Sequence, residues 1–277
     1  MNKLMKNVEA VYHCAATAHE GLSVFSPYEI VKNNFLASSS IFSAAISNKV
    51  RRIIFCSSMA RYGSQKTPFH EEMNPKPIDP YAISKVASED LLRNLCDLNN
   101  IEWVIAVPHN IIGPRQKYDD PYRNVVSIML NRILQKQAPI IYGDGEQKRC
   151  FSYIDDCLSC LLPMLDQKNL NKQIINIGPD EEFVTINKIS EICSNITGNN
   201  LEPIYKKDRP SEVKHATCSA NKARKLLNYK TKTDLVTGIK KTYEYIKKRG
   251  PKKFDYSNID LEIINNLTPS YWVNREI

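Results

Sequence analysis

Three apolar runs, at residues 8–14, 50–56 and 101–107, constrain the fold more than any other feature of the chain. Runs of this length bounded by turn residues read as strands buried on both faces. Between the first two, Phe35, Leu36, Ile41, Phe42, Ala45 and Ile46 recur at helical spacing over residues 33–48. Between the second and third, residues 81–98 carry a stripe of Val86, Leu91, Leu92 and Leu95, with Pro80 placed to open the helix. Strand, helix, strand, helix, strand predicts an α/β fold with a doubly wound parallel sheet. Ligands of such sheets lie beyond the carboxyl ends of the strands. Ser57-Ser58 and His109-Asn110 follow two of the strands, so chemistry is expected there.

Beyond residue 113 the loops lengthen and gather Gly, Pro and charge, as at Gly143-Asp144-Gly145 and Arg209-Pro210. We read residues 1–112 as the sheet domain, with later segments near 150–178 returning to it. Residues 113–253 read mainly as a smaller substrate-binding region, and 254–277 as a tail. A hydrophobic content of 42% over 277 residues excludes disorder. No run approaches the ~18 apolar residues of a membrane span. Lys3, Lys6 and Ala16-Thr17-Ala18 imitate a signal peptide, but Glu9 and His13 interrupt the apolar stretch, which reads better as a strand. Eight scattered cysteines point to reduced thiols and a cytoplasmic setting. Cys157 and Cys160 lack a second pair, so no metal site is expected. The net charge of +8 concentrates in residues 202–253, which hold 16 Lys and Arg against 5 Asp and Glu. With no nucleic-acid motif beside it, this region reads as a solvated basic face; an RNA-binding role would show as steep salt dependence.

Tyr81 and Lys85 stand one helical turn apart on one face. An ammonium that close favours a phenolate and lowers a tyrosine pKa from about 10. Such a group can take a proton from an alcohol. Upstream, Ser57-Ser58 offers a hydroxyl to hold the same oxygen. A Ser, Tyr and Lys so arranged suit hydride transfer from an alcohol to a nicotinamide cofactor.

The motifs around these residues carry a resemblance. They include Val11-Tyr12-His13-Cys14-Ala15-Ala16, Asn33-Asn34, Ser57-Ser58-Met59-Ala60-Arg61-Tyr62-Gly63 and Tyr81-x-x-x-Lys85. Pro108-His109-Asn110-Ile111-Ile112-Gly113-Pro114-Arg115-Gln116, Tyr142-Gly143-Asp144-Gly145, Asn176-Ile177-Gly178 and Arg209-Pro210-Ser211-Glu212-Val213 follow in order. Over residues 8–245 the chain resembles the extended short-chain dehydrogenase/reductases, and within them the NAD-dependent nucleotide-sugar epimerases similar to UDP-glucose 4-epimerase. The resemblance implies a Rossmann-like fold, NAD as cofactor and a UDP-sugar as substrate. It implies Tyr81 as base, Lys85 as its partner and Ser58 on the sugar hydroxyl. It implies Ala15, Ala16, Asn34, Ser57, Tyr81, Lys85 and Pro108 in the NAD site. Asn110, Asn124, Tyr142, Arg149, Arg209 and Glu212 would hold the nucleotide sugar: the asparagines and arginines at the diphosphate, Tyr142 near the base, Glu212 on ribose hydroxyls. A homodimer is implied by analogy alone. Related dehydratases and decarboxylases carry acids just after the catalytic hydroxyl. Met59 and Ala60 stand there, which favours oxidation and re-reduction at sugar C4. A nucleotide-sugar reductase and a non-catalytic sugar-nucleotide-binding relative are the competing readings.

Two departures mark the sequence. The family opens with a strand, a Gly-rich turn and a helix that binds pyrophosphate. Here no glycine precedes Gly21, and the run at residues 8–14 corresponds to the family's fourth strand. The expectation is a chain truncated at its N-terminus, through an incomplete reading frame, completion by a partner, or degeneration, with weak NAD binding and an exposed sheet edge. Val107 stands where relatives often place Arg. The tail, with Tyr271-Trp272-Val273, lies outside the resemblance and is left open between docking on the core and docking on a partner.

Overall fold

The computed structural model describes residues 1–257 and 259–277. Its main sheet contains β1 (Ala10–His13), β2 (Arg52–Cys56), β3 (Glu102–Pro108) and the strand Gln173–Ile177, in that spatial order and all parallel. The alternation of side chains along a strand divides the core in two. Ile53, Phe55, Trp103, Ile105 and Val107 pack on one face against Phe42 and Leu92 of the crossover helices. Ile54, Val104 and Ala106 pack on the other against Cys157, Cys160, Met164 and Ala223. Both faces are thus covered, as a parallel sheet requires. Among the described residues β1 lies at one edge of the sheet and is less buried than β2 and β3.

The chain leaves the sheet after β3 and returns at Gln173. In between and afterwards, helices Val125–Leu134, Ile186–Thr197 and Leu235–Arg249 build a separate cluster around Met129, Leu130, Ile189 and Ile239. Helix Asn221–Leu227 goes back to the sheet through Ala223 and Leu227. Arg52 fastens the opposite end of the sheet. It is fully buried, and its guanidinium donates to the carbonyls of Met164 (2.7 Å), Leu165 (3.1 Å) and Gln167 (2.9 Å) and to Glu102 (2.7 Å).

The helix expected at residues 33–48 is less regular than its spacing suggests. Helix Pro27–Val31 runs into a π-helical stretch, Lys32–Leu36, before the α-helix Ala37–Ser47. The wider turn presents Asn34 to the loop after β1. Its amide accepts from Thr17 N (2.7 Å) and donates to Thr17 O (3.1 Å), so the local pairing holds the irregular turn in place.

The tail docks on the chain's own core. Trp272 is 1% exposed and packs with Phe25, Tyr122 and Tyr142 in a cluster that reaches Leu22, Ala60 and Tyr81. Glu262 accepts from the amides of Tyr28 (2.9 Å) and Glu29 (2.8 Å), satisfying the open amino end of helix Pro27–Val31. Among the described residues no helix is long and apolar enough to cross a membrane. Because Trp272 fills a closed aromatic cluster, Trp272→Ala is expected to cost about 3–5 kcal/mol of stability, read from urea denaturation. A loss under about 1 kcal/mol, typical of a surface substitution, would show that the tail is not part of the fold.

Candidate active site

The site is built where β2 ends. Ser57 and Ser58 leave the strand, and Ser58 caps the short helix Met59–Tyr62 by accepting from Ala60 N at 3.2 Å. Facing it, helix Pro80–Leu98 starts at Asp79, whose carboxylate accepts from Ala82 N at 2.8 Å, with Pro80 in the first turn. This start fixes which residues look inward. Tyr81, Lys85 and Glu89 follow at intervals of four on one face, and all are buried.

Glu89 is the member of that face which spacing did not disclose. It is wholly buried and receives Arg61 through Nε (3.0 Å) and Nη2 (2.9 Å), and Ser57 Oγ as a further donor. Arg61 is itself 2% exposed and lies 4.9 Å from the centre of the Tyr62 ring. The pair locks the loop after β2 to the helix and so sets Ser58 against Tyr81. The Ser58 hydroxyl stands near enough to the Tyr81 phenol to pull its pKa down.

The expected effect of Lys85 on Tyr81 is corrected here. Burial is the largest influence on the phenol and raises it, the nearby Ser58 hydroxyl opposes it, and Glu20 adds to the rise; the result is a pKa pushed up to about 12. Lys85 Nζ donates instead to the Cys56 carbonyl at 2.6 Å and lies 4.6 Å from the centre of the Phe55 ring. Burial lowers the Lys85 ammonium to about 8. The reason is one of height: Tyr81, in the first turn, meets the Ser58 loop, while Lys85, a turn further on, meets the ends of β1 and β2.

Ser58, Pro108, Asn110 and Arg149 line one cleft, together with Glu20 and His109. Asn110 takes a left-handed conformation (φ 41°) and donates to Cys150 O at 2.8 Å. Arg149 and Arg209 converge on Glu212, at 2.9 Å and 2.6 Å to its two oxygens. Burial pushes the Glu212 carboxyl up, but the two guanidiniums outweigh it and hold it below the ordinary range. Glu212, expected to meet ribose hydroxyls, is thus engaged by both arginines. Arg209 Nε is buried without a partner, as is Asn124 Nδ2 at the start of helix Val125–Leu134. Donors of that kind suit an anion or a polar ligand. Tyr142, expected beside a base, is engaged by its own chain: the Arg209 guanidinium lies 4.5 Å from its ring centre, Tyr271 stacks at 5.4 Å, and Trp272 Nε1 donates to its hydroxyl at 3.2 Å.

Ala15 and Ala16 lie on the loop after β1, and Asn34, on the π-helical turn Lys32–Leu36, braces Thr17 of that loop. Ala15 is exposed and Ala16 half-buried, so this ledge above β1 and β2 is free of bulk. Ser57, Lys85 and Pro108 border it from neighbouring strand ends and the facing helix. Such a ledge fits the nicotinamide end of NAD. The described residues include no Gly-rich strand–turn–helix, so they supply no cradle of that type for its pyrophosphate. Sequence reasoning also missed Glu20 and the buried His19–Asp120 pair, joined at 2.7 Å, which ties the segment before helix Glu20–Ser23 to the loop before helix Val125–Leu134.

A parallel α/β sheet with a serine, a buried tyrosine and a lysine at its carboxyl edge defines the short-chain dehydrogenase/reductase class. The sequence profile of the NAD dependent epimerase/dehydratase family matches residues 1–178, and the chain belongs to that family. It is 34% identical to a putative UDP-glucose 4-epimerase of Methanocaldococcus jannaschii, over 87% of this chain and 78% of that protein. It resembles the crystal structure of Thermotoga maritima UDP-glucose 4-epimerase with UDP-glucose at a TM-score of 0.83 and 30% identity, covering 90% of this chain and 82% of that one. Against Bacillus cereus UDP-glucuronic acid 4-epimerase with UDP-glucuronic acid and NAD the TM-score is 0.84 at 29% identity, covering 90% and 78%.

Glu89→Leu strands Arg61 in a dry site and is expected to cost about 3–5 kcal/mol. The double variant Arg61→Met/Glu89→Leu should recover most of that loss in urea denaturation. Equal losses in the single and the double variant would show that the two charges do not act as a pair.

Proposed function

We propose that this chain catalyses the NAD-dependent epimerisation of a UDP-hexose at C4, UDP-glucose and UDP-galactose being the pair favoured. The observation that carries the reading is the buried Tyr81 beside Ser58, which lines one cleft with Asn110 and Arg149. Ala15, Ala16, Ser57, Lys85 and Pro108 would hold NAD on the ledge, and the cofactor would supply a reversible hydride acceptor there. Tyr81 takes the proton of the C4 hydroxyl while Ser58 holds the oxygen. The 4-keto sugar then turns over within the cleft, and Tyr81 returns the proton. Arg149 and Arg209, already aligned by Glu212, hold the diphosphate through charge-assisted bonds. Asn110 and Asn124 add amide donors. With its pKa pushed up, Tyr81 begins as the protonated phenol, and approach of the Lys85 ammonium, now on Cys56 O, would ease its ionisation.

Glu20 supports a neutral sugar over a uronate. It lines the cleft, and its charge is felt by the Tyr81 phenol as well as by Arg209, which supports a place within reach of the sugar. Crowding by protein, then Asp79, pushes its carboxyl up to about 7 although it keeps contact with water. Above that pH its charge repels a C6 carboxylate; below it the repulsion fades. The absence of acids at Met59 and Ala60 supports epimerisation over elimination.

Turnover of UDP-glucose to UDP-galactose with added NAD, followed by proton NMR, tests the reading. Tyr81→Phe should lower kcat by on the order of 10²–10⁴, the usual worth of a positioned acid–base group, with UDP-sugar binding kept. Turnover at the parent rate in that variant would remove Tyr81 from the chemistry. Net production of NADH would replace epimerisation with dehydrogenation. Discrimination against UDP-glucuronate should strengthen as pH rises through about 7, and Glu20→Gln should abolish that dependence. An unchanged profile would discharge Glu20 from specificity.

A further inference from the structure

Two cysteines that the proposed reaction does not use stand at the carboxyl ends of neighbouring strands. Cys14 follows β1 and Cys56 closes β2, one step beyond the His13–Phe55 pair of the parallel register. Their Sγ atoms are 3.4 Å apart. Adjacent strands run about 4.8 Å apart, within the roughly 4.4–6.8 Å between Cα atoms that a disulfide spans. Bond formation therefore asks for side-chain rotation and no movement of strands. Cys14 is exposed, Cys56 is half-buried, and the other six cysteines are buried.

The surroundings give the two sulfurs unlike roles. Lys85 Nζ reaches the Cys56 carbonyl at 2.6 Å, which puts an ammonium beside the pair. The hydrogen bond from Cys56 outweighs desolvation, the Lys85 charge helps, and the Cys14 thiol falls to about 7. The same hydrogen bond and burial push the Cys56 thiol well up. One sulfur is accessible and substantially thiolate at neutral pH; its neighbour is shielded and keeps its proton. Reactive cysteines occupy such electropositive, accessible settings.

We propose that Cys14 and Cys56 form a peroxide-reactive dithiol that closes to an intramolecular disulfide at the carboxyl edge of the sheet. The Cys14 thiolate attacks one oxygen of hydrogen peroxide, the O–O bond breaks, and hydroxide leaves; a proton from solvent makes it water. Cys14 is now a sulfenic acid. The Cys56 sulfur attacks that sulfur, the S–O bond breaks, and the departing hydroxide takes the Cys56 proton. Two thiols lose two electrons and peroxide becomes two waters. A thiol reductant reverses the change by exchange.

The test is mass spectrometry of the native protein and needs no turnover. The protein is treated with a small excess of hydrogen peroxide at pH 7, blocked with iodoacetamide, digested and mapped. A Cys14–Cys56 cross-link that dithiothreitol removes, with the six buried cysteines still alkylated after unfolding, is the expected result. Cys56→Ser should halt the reaction at an oxidised Cys14, and Cys14→Ser should leave Cys56 reduced. With peroxide omitted, iodoacetamide should label Cys14 on the order of ten-fold faster at pH 7 than a free cysteine of ordinary pKa. Oxidation of Cys14 to sulfinate with Cys56 left as thiol, or oxidation of the eight cysteines at similar rates, would overturn the proposal.

Discussion

The ion pair between Arg61 and Glu89 is the constraint on which the site rests. Both groups are withdrawn from water, a transfer that costs several kcal/mol per charge before any attraction is counted. The cost is offset by parallel bonds from the guanidinium, by Ser57 and by the Tyr62 ring. What results is less a gain in stability than a fixed distance between the loop after β2 and the helix opposite. Asp79 sets where that helix begins, the four-residue interval sets what lies above Glu89, and so Lys85 and Tyr81 come to their heights. Ser58 stands beside the phenol on a loop that Ser57 and Arg61 tie to Glu89, two turns along the helix.

A second charge network organises the other wall. Glu212 keeps Arg149 and Arg209 from repelling one another and aims both at one region. Two cations on one carboxylate leave one positive charge in excess, while Arg209 Nε lacks a partner. Glu20 and Asp79 bring negative charge to the reacting end. Glu20 also feels Arg149 and Arg209, so the negative and positive groups meet within one cleft.

Much of this was legible in the residues. The three apolar runs and the helical stripe behind Pro80 announced the parallel sheet, because strand and helix periods are local properties. Tyr81, Lys85 and Ser58 were legible for the same reason, being near one another in the chain or at strand ends. Glu89 occupies the next position on the same helical face, but nothing local marks a glutamate as buried. Where Lys85 points depends on the ends of two other strands, so the expected depression of the Tyr81 pKa gave way to burial. The π-turn at Asn34 depends on Thr17, and the surroundings of Tyr142 depend on Tyr271 and Trp272 far along the chain. Such contacts arise from tertiary packing and leave no periodic trace. The paired thiols are invisible for that reason too: Cys14 and Cys56 become neighbours through strand register alone.

The aromatic cluster around Trp272 has a kinetic meaning. It gathers Leu22 and Phe25, from the segment after β1, on one side and Tyr142 on the other under a single indole. Swinging the sides apart would return that indole to water, and uncovering about 150–250 Å² of aromatic surface at about 25 cal/mol per Å² costs roughly 4–6 kcal/mol. An opening so costly is populated far less than once in a hundred molecules. The segments gathered under the indole therefore stay together in nearly every molecule, and the tail is a clasp on the core.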